Sequence, residues 1–269
     1  MAGPGPARLT LPAFYEFVAP DDWRAVDFIS DLHLDASLPR TFDAWAAHLL
    51  HTPADAVFLL GDLFEVWVGD DARDAAFERR CVDVIAEAST RRSLAFMAGN
   101  RDFLLGAEMR EACGLLPLPD PTRLTAWDRS LLLTHGDALC LADTEYQQLR
   151  TLLRSARWQS DFLALPLVER RRQAASMRRQ SDLRRRAAGH AMELWADVDA
   201  AAAVSWMHAA GVAEMVHGHT HRPGSSTLAP GFKRHVLTDW DLDGAAPRAE
   251  VLRLTRDGLA RVAPTERSG

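Results

Sequence analysis

Five short polar motifs interrupt this sequence, and each follows an apolar run of strand length. The runs span residues 25–30, 56–60, 94–98, 130–134 and 214–216, and the motifs after them are Asp31-Leu32-His33, Gly61-Asp62, Gly99-Asn100-Arg101-Asp102, His135-Gly136-Asp137 and His217-Gly218-His219-Thr220-His221. Helix-like segments at 40–50, 72–89 and 103–113 separate them, which predicts an α/β architecture with a largely parallel sheet. Because chemistry gathers at the carboxyl ends of such strands, we expect the motifs to converge.

Composition narrows the class of protein further. The chain has 269 residues and a formal net charge of −6, so no overall positive field favours a nucleic-acid partner. One stretch, residues 150–186, is strongly basic, with eleven arginines against three acids. The three cysteines are widely spaced, which is typical of free thiols in a reducing compartment. With no apolar run of eighteen residues and no signal-peptide pattern, we expect a cytoplasmic protein.

The pattern of helix and strand changes along the chain. Residues 1–22 open with glycine and proline and are predicted to form a disordered lead, and residues 264–269 a polar tail. We predict one domain over residues 23–263, with a helical insertion at about 143–207 that lies as a cap over the strand ends. Residues 227–240 and 249–262 are predicted to be closing strands.

The side chains in the motifs are those that divalent ions use in phosphate chemistry, namely carboxylates, imidazoles and a neutral amide oxygen. Asp31 and His33 are separated by one residue, so both can reach a common side of a loop. Asp62 is the natural bridging carboxylate, since two ions about 3.5–4 Å apart need one. The predicted ligands of this binuclear site are Asp31, His33, Asp62, Asn100, His135, His219 and His221.

Each motif alone also has a simpler structural interpretation. An isolated Asp-x-His is usually a helix cap or surface pair, and an isolated Gly-Asp is usually a turn. His217 points along its strand and is interpreted as a core residue or as support for a ligand. The joint occurrence of five motifs, in order and each after a strand-like run, favours the metal site.

The motifs resemble those of the calcineurin-like metallophosphoesterase superfamily, over roughly residues 25 to 240. This resemblance implies a sandwich of two mixed β-sheets flanked by helices, here with an inserted helical cap, and Mn²⁺ as the metal. Many members have histidine where this chain has Arg101. An arginine is not a general acid, but it can hold a phosphate with two hydrogen bonds and stabilise developing charge.

Longer strings narrow the resemblance to the UDP-2,3-diacylglucosamine diphosphatase family of lipid A biosynthesis. They include residues 61–71, 99–106, 162–167 and 217–223. The resemblance implies hydrolysis of the pyrophosphate of UDP-2,3-diacylglucosamine to UMP and 2,3-diacylglucosamine 1-phosphate, with the acyl chains held by the cap. Our mechanistic hypothesis is attack by a hydroxide that two metal ions activate, and it assigns catalytic roles to Asp62, Asn100, Arg101 and His219.

Substrate contacts follow from the same resemblance. Asp143 and Tyr146 match a substrate-contacting pair, and Ser181 matches a serine of the cap. Beyond Ser181 the match fails, because three arginines stand near the positions of the family's asparagine and lysine, and Arg185 is assigned to that contact. The predicted substrate-binding residues are Asn100, Arg101, Asp143, Tyr146, Ser181, Arg185 and His219.

Two other functions remain open at this point. The same metal site would serve a phosphodiesterase or phosphatase acting on another small nucleotide, and the same fold occurs in non-catalytic scaffolds that lose ligands. Arginines and apolar residues of the predicted cap also suggest peripheral contact with the inner membrane surface. Nothing in the sequence indicates the oligomeric state.

Overall fold

A computed structural model of the chain describes residues 11–188 and 197–266, without the side chains of residues 181, 182 and 184–188. The strands within these residues are β1 (Tyr15–Val18), β2 (Ala25–Ile29), β3 (Ala56–Leu60), β4 (Ser93–Met97), β5 (Leu115–Pro117), β6 (Thr122–Ala126), β7 (Arg129–Thr134), β8 (Glu214–His217), β9 (Gly224–Ala229), β10 (Phe232–Val236), β11 (Val251–Thr255) and β12 (Gly258–Val262). The α-helices are α1 (Pro39–His51), α2 (Ala76–Ser89), α3 (Ala107–Cys113), α4 (Thr144–Leu153), α5 (Ala156–Leu163), α6 (Leu167–Ala188) and α7 (Ala200–Ala209).

The strands form two six-stranded mixed sheets. Sheet A has the order β1-β6-β7-β8-β10-β9, and sheet B the order β12-β11-β2-β3-β4-β5. In sheet B, β2 to β5 are parallel and β11 and β12 are antiparallel neighbours. In sheet A, β7, β8 and β10 are parallel, whereas β6 and β9 run antiparallel to their neighbours β7 and β10. The predicted fold class, two mixed sheets with flanking helices, is confirmed.

The sequence of β3 explains how the layers stack. All five of its residues are buried, as expected of a central parallel strand covered on both faces. Phe58 and its same-face neighbours pack in a cluster between the sheets with Leu131 and Val216 of sheet A. Val57 and Leu59 face the opposite way, against α1 and α2. On the far side of sheet A, α7 packs on β7 and β8 in a third cluster. The result is a four-layer α-β-β-α sandwich.

The strands that carry the motifs end close to where the apolar runs predicted. Strands β2, β3, β4, β7 and β8 end at Ile29, Leu60, Met97, Thr134 and His217, respectively. β2, β3 and β4 are mutually parallel, as are β7 and β8. The loops after these five strands therefore emerge at one end of the sandwich.

Three helices of the predicted insertion lie beside this end. Helix α4 begins at the cap residue Asp143, whose side chain accepts a hydrogen bond from the Tyr146 backbone N–H at 2.9 Å. Helix α5 begins in the same way at Ser155, which separates it from α4. Pro166 then precedes the long α6. The boundary of about 143–207 for the cap stays a prediction, and α7, which overlaps its last residues, packs on sheet A.

Some local predictions were wrong. The predicted disordered lead includes a strand, because Tyr15–Val18 pairs in parallel with β6; residues 1–10 lie outside the described residues. The helix predicted for 72–89 begins only at Ala76, after a 3₁₀ turn over Asp70–Asp74. The helix predicted for 103–113 begins only at Ala107, because Gly106 is extended.

Candidate metal centre and active site

The loops after the strands hold their metal-ligand candidates in an uncommon backbone conformation. Five of the seven predicted ligands have φ between 48° and 66°, namely Asp31, His33, Asp62, His219 and His221. Among the described residues other than glycine, Trp127 is the one other case. This left-handed region costs a non-glycine residue about 1–2 kcal/mol. Such residues concentrate at functional sites, so their clustering here indicates loops shaped to aim side chains.

The first donor group consists of Asp31, His33 and His221, whose potential ligand atoms all lie within 4.8 Å of one another. His33 Nε2 is 3.3 Å from His221 Nε2, and His221 Nε2 is 3.5 Å from Asp31 Oδ1. The Asp31 side chain is fully buried, whereas 35% of His221 is exposed. This group therefore opens toward solvent on the His221 side.

The second donor group consists of Asp62, His135 and His219, again within 4.8 Å of one another. His135 Nδ1 donates to the Leu60 carbonyl oxygen at 2.9 Å, which leaves Nε2 as the atom that faces Asp62 Oδ1 at 3.7 Å. Asn100 Oδ1 lies 3.0 Å from His135 Nε2 and 2.8 Å from His219 Nδ1. The structure thus brings all seven predicted ligands into two adjoining groups.

Two glycines allow these loops to approach each other. Gly61 has φ +90°, and a Cβ atom there would lie 2.4 Å from His135 Nδ1 and 2.7 Å from Gly99 Cα. A Cβ atom at Gly99 would lie 2.2 Å from Asp62 Oδ1. No side chain fits at either distance, so the two glycines are required for the packing of Asp62 and His135.

The buried carboxylate Asp102 joins two of the loops. It accepts hydrogen bonds from the backbone N–H groups of Leu63 at 2.7 Å and Gly99 at 2.8 Å, and a longer one from Asp62 at 3.3 Å. Burial, followed by the charge of Asp62, raises the pKa of Asp102 to about 6 despite these donors. Asp102 therefore fixes the backbone on either side of the second donor group.

The charges in the two groups depend on one another. Burial raises the pKa of Asp31, but the hydrogen bond and charge of His221 outweigh it and hold that pKa far below its usual range. Burial lowers the pKa of His135, but the charges of Asp62 and Asp31 raise it to about 9. Burial and the charge of His135 lower the pKa of His219 to about 4. A divalent cation would replace the proton on His135 as the partner of these carboxylates.

The donor chemistry fits divalent metal ions. Each group combines carboxylate oxygen with imidazole nitrogen, and Asn100 adds a neutral oxygen to the second, a mixture suited to ions such as Mn²⁺ or Zn²⁺. His217 is not part of either group: it is buried, donates from Nδ1 to the Gly218 carbonyl oxygen at 2.9 Å, and burial lowers its pKa to about 4.

Two arginines lie at the edge of the centre. The Arg101 backbone N–H donates to Asp62 Oδ1 at 2.8 Å, and Arg101 Nη1 lies 4.0 Å from Glu65 Oε1. Arg178 of α6 pairs with the same Glu65 carboxylate. Only 14% of the Arg101 side chain is exposed. This edge holds guanidinium groups of the kind that recognise phosphate oxygens.

Tyr146 of α4 connects the cap to the second donor group. Its hydroxyl donates to Asp137 Oδ2 at 2.6 Å, and its ring stacks on His219 with centroids 5.9 Å apart. Arg150 Nε donates to the same Asp137 oxygen at 2.8 Å. Burial and the negative charge of Asp137 raise the pKa of Tyr146, so the phenol stays protonated. Asp143, the other predicted member of this pair, caps α4.

The basic stretch is used partly to attach the cap. Arg154 Nη2 donates to the Gly99 carbonyl oxygen at 2.9 Å. Arg170 is buried, donates to the carbonyl oxygens of Leu165 and Val68, and pairs with Asp71. The side chains of Ser181 and Arg185, predicted to contact substrate, lie outside the described part of the chain.

Sequence reasoning missed several residues that support the site. Asp137 and Asp102 stand inside quoted motifs, but they received no role because the sequence does not show which acids are buried. Glu65 Oε2 lies 3.1 Å from His33 Nδ1, and Asp239 Oδ2 lies 3.4 Å from His221 Nδ1. Glu65 lies within the quoted string of residues 61–71, and that string is the signal that could have found it.

The sandwich with two donor groups at its strand ends is the arrangement that the resemblance to calcineurin-like metallophosphoesterases predicts. No family model matches the chain. Relatives named UDP-2,3-diacylglucosamine hydrolase do: the protein of Xanthomonas campestris pv. campestris is 40% identical over 243 residues, covering 87% of this chain and 96% of its own length. The protein of Bordetella parapertussis is 41% identical over 239 residues, covering 86% and 91%, respectively. The chain belongs to the UDP-2,3-diacylglucosamine hydrolase family and is a metal-dependent hydrolase.

Among solved structures, the phosphoesterase YfcE from E. coli aligns with 89% of this chain and 99% of its own length, with a TM-score of 0.41 and 15% identity. Among the helices that the structure describes, none has the length and apolar character needed to span a membrane.

Proposed function

We propose that the protein hydrolyses the pyrophosphate bond of UDP-2,3-diacylglucosamine and releases UMP and 2,3-diacylglucosamine 1-phosphate in lipid A biosynthesis. The observation that carries this proposal is the pair of donor groups at the strand ends, with Arg101 and Tyr146 beside them. The chain is also about 40% identical to relatives named UDP-2,3-diacylglucosamine hydrolase. Pyrophosphate hydrolysis requires neutralisation of charge on two phosphates, which cations and guanidinium groups supply together.

The two groups would hold two divalent ions, and we propose Mn²⁺. Asp31, His33 and His221 would bind one ion, and His135, His219 and Asn100 the other, with Asp62 between them. Bound there, the ions would activate a water molecule and neutralise phosphate charge. Asp62 is held for this role by the Arg101 N–H on one oxygen and by the left-handed turn after Gly61.

The residues at the edge would orient the substrate. Arg101 would donate to phosphate oxygens, and its backbone N–H is hydrogen-bonded to Asp62, so the residue itself lies beside the second donor group. His219 and Asn100 would hold the phosphate against the second ion. Tyr146 and Asp143 would contact the substrate from α4, and Ser181 and Arg185 would do so from α6.

The cap would bind the acyl chains and contact the membrane surface. Leu152, Leu163, Val168 and Leu183 expose large apolar surfaces on α4 to α6, with Val168 81% exposed. Arginines such as Arg172, 72% exposed, lie on the same helices. Apolar side chains beside cations are typical of peripheral contact with anionic lipid, here the cytoplasmic face of the inner membrane.

The test is a Mn²⁺-dependent assay of the full chain on UDP-2,3-diacylglucosamine, with the products identified by phosphorus NMR. We expect UMP and the sugar 1-phosphate, and no turnover by Asp62→Ala or His135→Ala. Exposed Asp43→Asn is the control and should keep full activity. Turnover of Asp62→Ala at saturating Mn²⁺ would remove the assigned roles, and preference for a cyclic nucleotide or an aryl phosphodiester would favour another phosphodiesterase.

A further inference from the structure

The two histidines of the first donor group are each backed by a carboxylate that is not itself in the group. His33 Nδ1 lies 3.1 Å from Glu65 Oε2, and His221 Nδ1 lies 3.4 Å from Asp239 Oδ2. His33 Nδ1 is buried and makes no hydrogen bond to any described residue, and the Glu65 carboxylate is the charged group recorded at ion-pair distance from it. Both rings thus turn the same atom outward, toward a negative charge.

This arrangement determines whether the Nε2 atoms of His33 and His221 can bind a metal ion. A carboxylate facing Nδ1 favours the proton on Nδ1, and a neutral imidazole then has its lone pair on Nε2. The two Nε2 atoms are 3.3 Å apart, and Asp31 Oδ1 is 3.5 Å from one of them. Three acceptors this close to one another repel unless a proton or a metal ion lies among them.

The second donor group is backed differently. His135 Nδ1 donates to a neutral group, the carbonyl oxygen of Leu60, at 2.9 Å. His219 Nδ1 faces the amide oxygen of Asn100 at 2.8 Å, and its ring stacks on Tyr146. Within the described residues, no carboxylate outside the group is recorded at ion-pair distance from either ring, so the two groups differ in whether such a carboxylate lies against each histidine.

Both backing carboxylates are themselves held in place. Asp239 accepts from Arg248 Nε at 2.9 Å and also pairs with Arg248 Nη2. The next residue, Trp240, donates its backbone N–H to the Asp31 carbonyl oxygen at 3.0 Å. The Glu65 N–H donates to the Leu34 carbonyl oxygen at 3.2 Å, one residue after His33. Each carboxylate is therefore carried by backbone that is hydrogen-bonded to the loop of the histidine group that it supports.

We propose that Glu65 and Asp239 are positioning residues that orient His33 and His221 and make the Asp31–His33–His221 group the tighter of the two metal sites. The proposal rests on the function proposed above only in requiring two ions, and not on the identity of the substrate. Removal of an outer carboxylate of this kind typically weakens metal binding about 10–100-fold.

The experiment titrates the full chain with Mn²⁺ and follows free ion by electron paramagnetic resonance. The wild type is expected to bind two ions with different affinities. Glu65→Gln and Asp239→Asn keep the shape of the side chain and remove its charge, and each should weaken the tighter ion about 10–100-fold while the weaker ion changes less. In a His135→Ala background, which removes one ligand of the second group, Asp239→Asn should still weaken the remaining tight ion.

The matched control is Glu250→Gln. Glu250 is likewise paired with an arginine, Arg261, and contacts Thr238 beside Asp239, but it faces no histidine of either group. Its variant should bind both ions as the wild type does. If Asp239→Asn leaves both affinities unchanged, or weakens both equally, the proposal is wrong.

A second readout follows the rings directly. In Zn²⁺-loaded protein labelled with ¹⁵N-histidine, we expect His33 and His221 to carry their proton on Nδ1, and Glu65→Gln to shift the His33 Nδ1 resonance alone. A proton on Nε2 of either ring would overturn the assignment. Turnover on UDP-2,3-diacylglucosamine is measured in parallel, so that two unequal ion sites without this activity would reject only the proposed substrate.

Discussion

The close approach at Gly61 gives the sharpest test of how the loops hold the centre. Gly61→Ala meets two penalties: alanine at φ +90° is strained, and its Cβ would lie 2.4 Å from His135 Nδ1. The left-handed backbone costs about 1–2 kcal/mol, less about 0.4–1 kcal/mol gained from a stiffer unfolded chain. Forcing the packed neighbours apart adds about 1–3 kcal/mol. We expect a loss of about 2–4 kcal/mol in the free energy of unfolding.

Gly211→Ala separates the two penalties. Gly211 has φ +67°, and no described atom lies within 4 Å of the added Cβ position, so this variant meets the backbone strain alone. We expect a loss of about 1 kcal/mol with unchanged Mn²⁺ affinity and turnover. Urea denaturation of both variants without metal gives the difference, and a Mn²⁺ titration shows whether His135 has moved. Equal losses, together with an undisturbed metal site in Gly61→Ala, would refute the steric argument.

Three further predictions concern groups around the centre and the core. Burial raises the pKa of Asp27, but hydrogen bonds from Arg253, His48 and Thr52 lower it from 3.8 to about 2. The wild type should therefore be more stable than Asp27→Asn by a margin that is full above pH 4–5 and shrinks by about 2 kcal/mol as the pH falls to 2. A margin that does not depend on pH in urea denaturation would contradict this. Tyr146→Phe removes the hydrogen bond to buried Asp137 and should lower the stability measured by thermal unfolding by about 1–3 kcal/mol. It should also raise KM more than it lowers kcat, and an unchanged KM would argue against a substrate contact. Phe58→Ala should cost about 3–5 kcal/mol in urea denaturation, and a loss below 1 kcal/mol would place the core elsewhere.

The sequence predicted the central strands well because burial on both faces leaves a continuous apolar run. β2 and β3 are fully buried and begin where their runs begin. The edge strand β1 was missed because only one of its four residues is even half-buried, and its pairing with β6 lies more than 100 residues away. A pattern within a short window cannot show a partner at that distance.

The sequence likewise predicted one part of the candidate site and missed another. Residue types and spacing predicted the seven ligand candidates, since the motifs that hold them follow the buried strands closely. The groups behind them were not predictable: Asp239 supports His221 across the fold, and Arg170 is buried although it lies in the strongly basic stretch of residues 150–186. Burial and long-range pairing depend on the assembled layers, which no single segment encodes.

The two sheets contribute to the donor groups together. Asp31 and His33 follow a strand of sheet B and His221 one of sheet A, while Asp62 follows sheet B and His135 sheet A. Each bound ion would therefore have ligands from both sheets and link them at their interface. Separation of the two sheets at this interface would release both ions together. Retention of the metal would therefore report whether the sheets remain packed on each other, and chelation would weaken a sheet–sheet interface far larger than the metal centre.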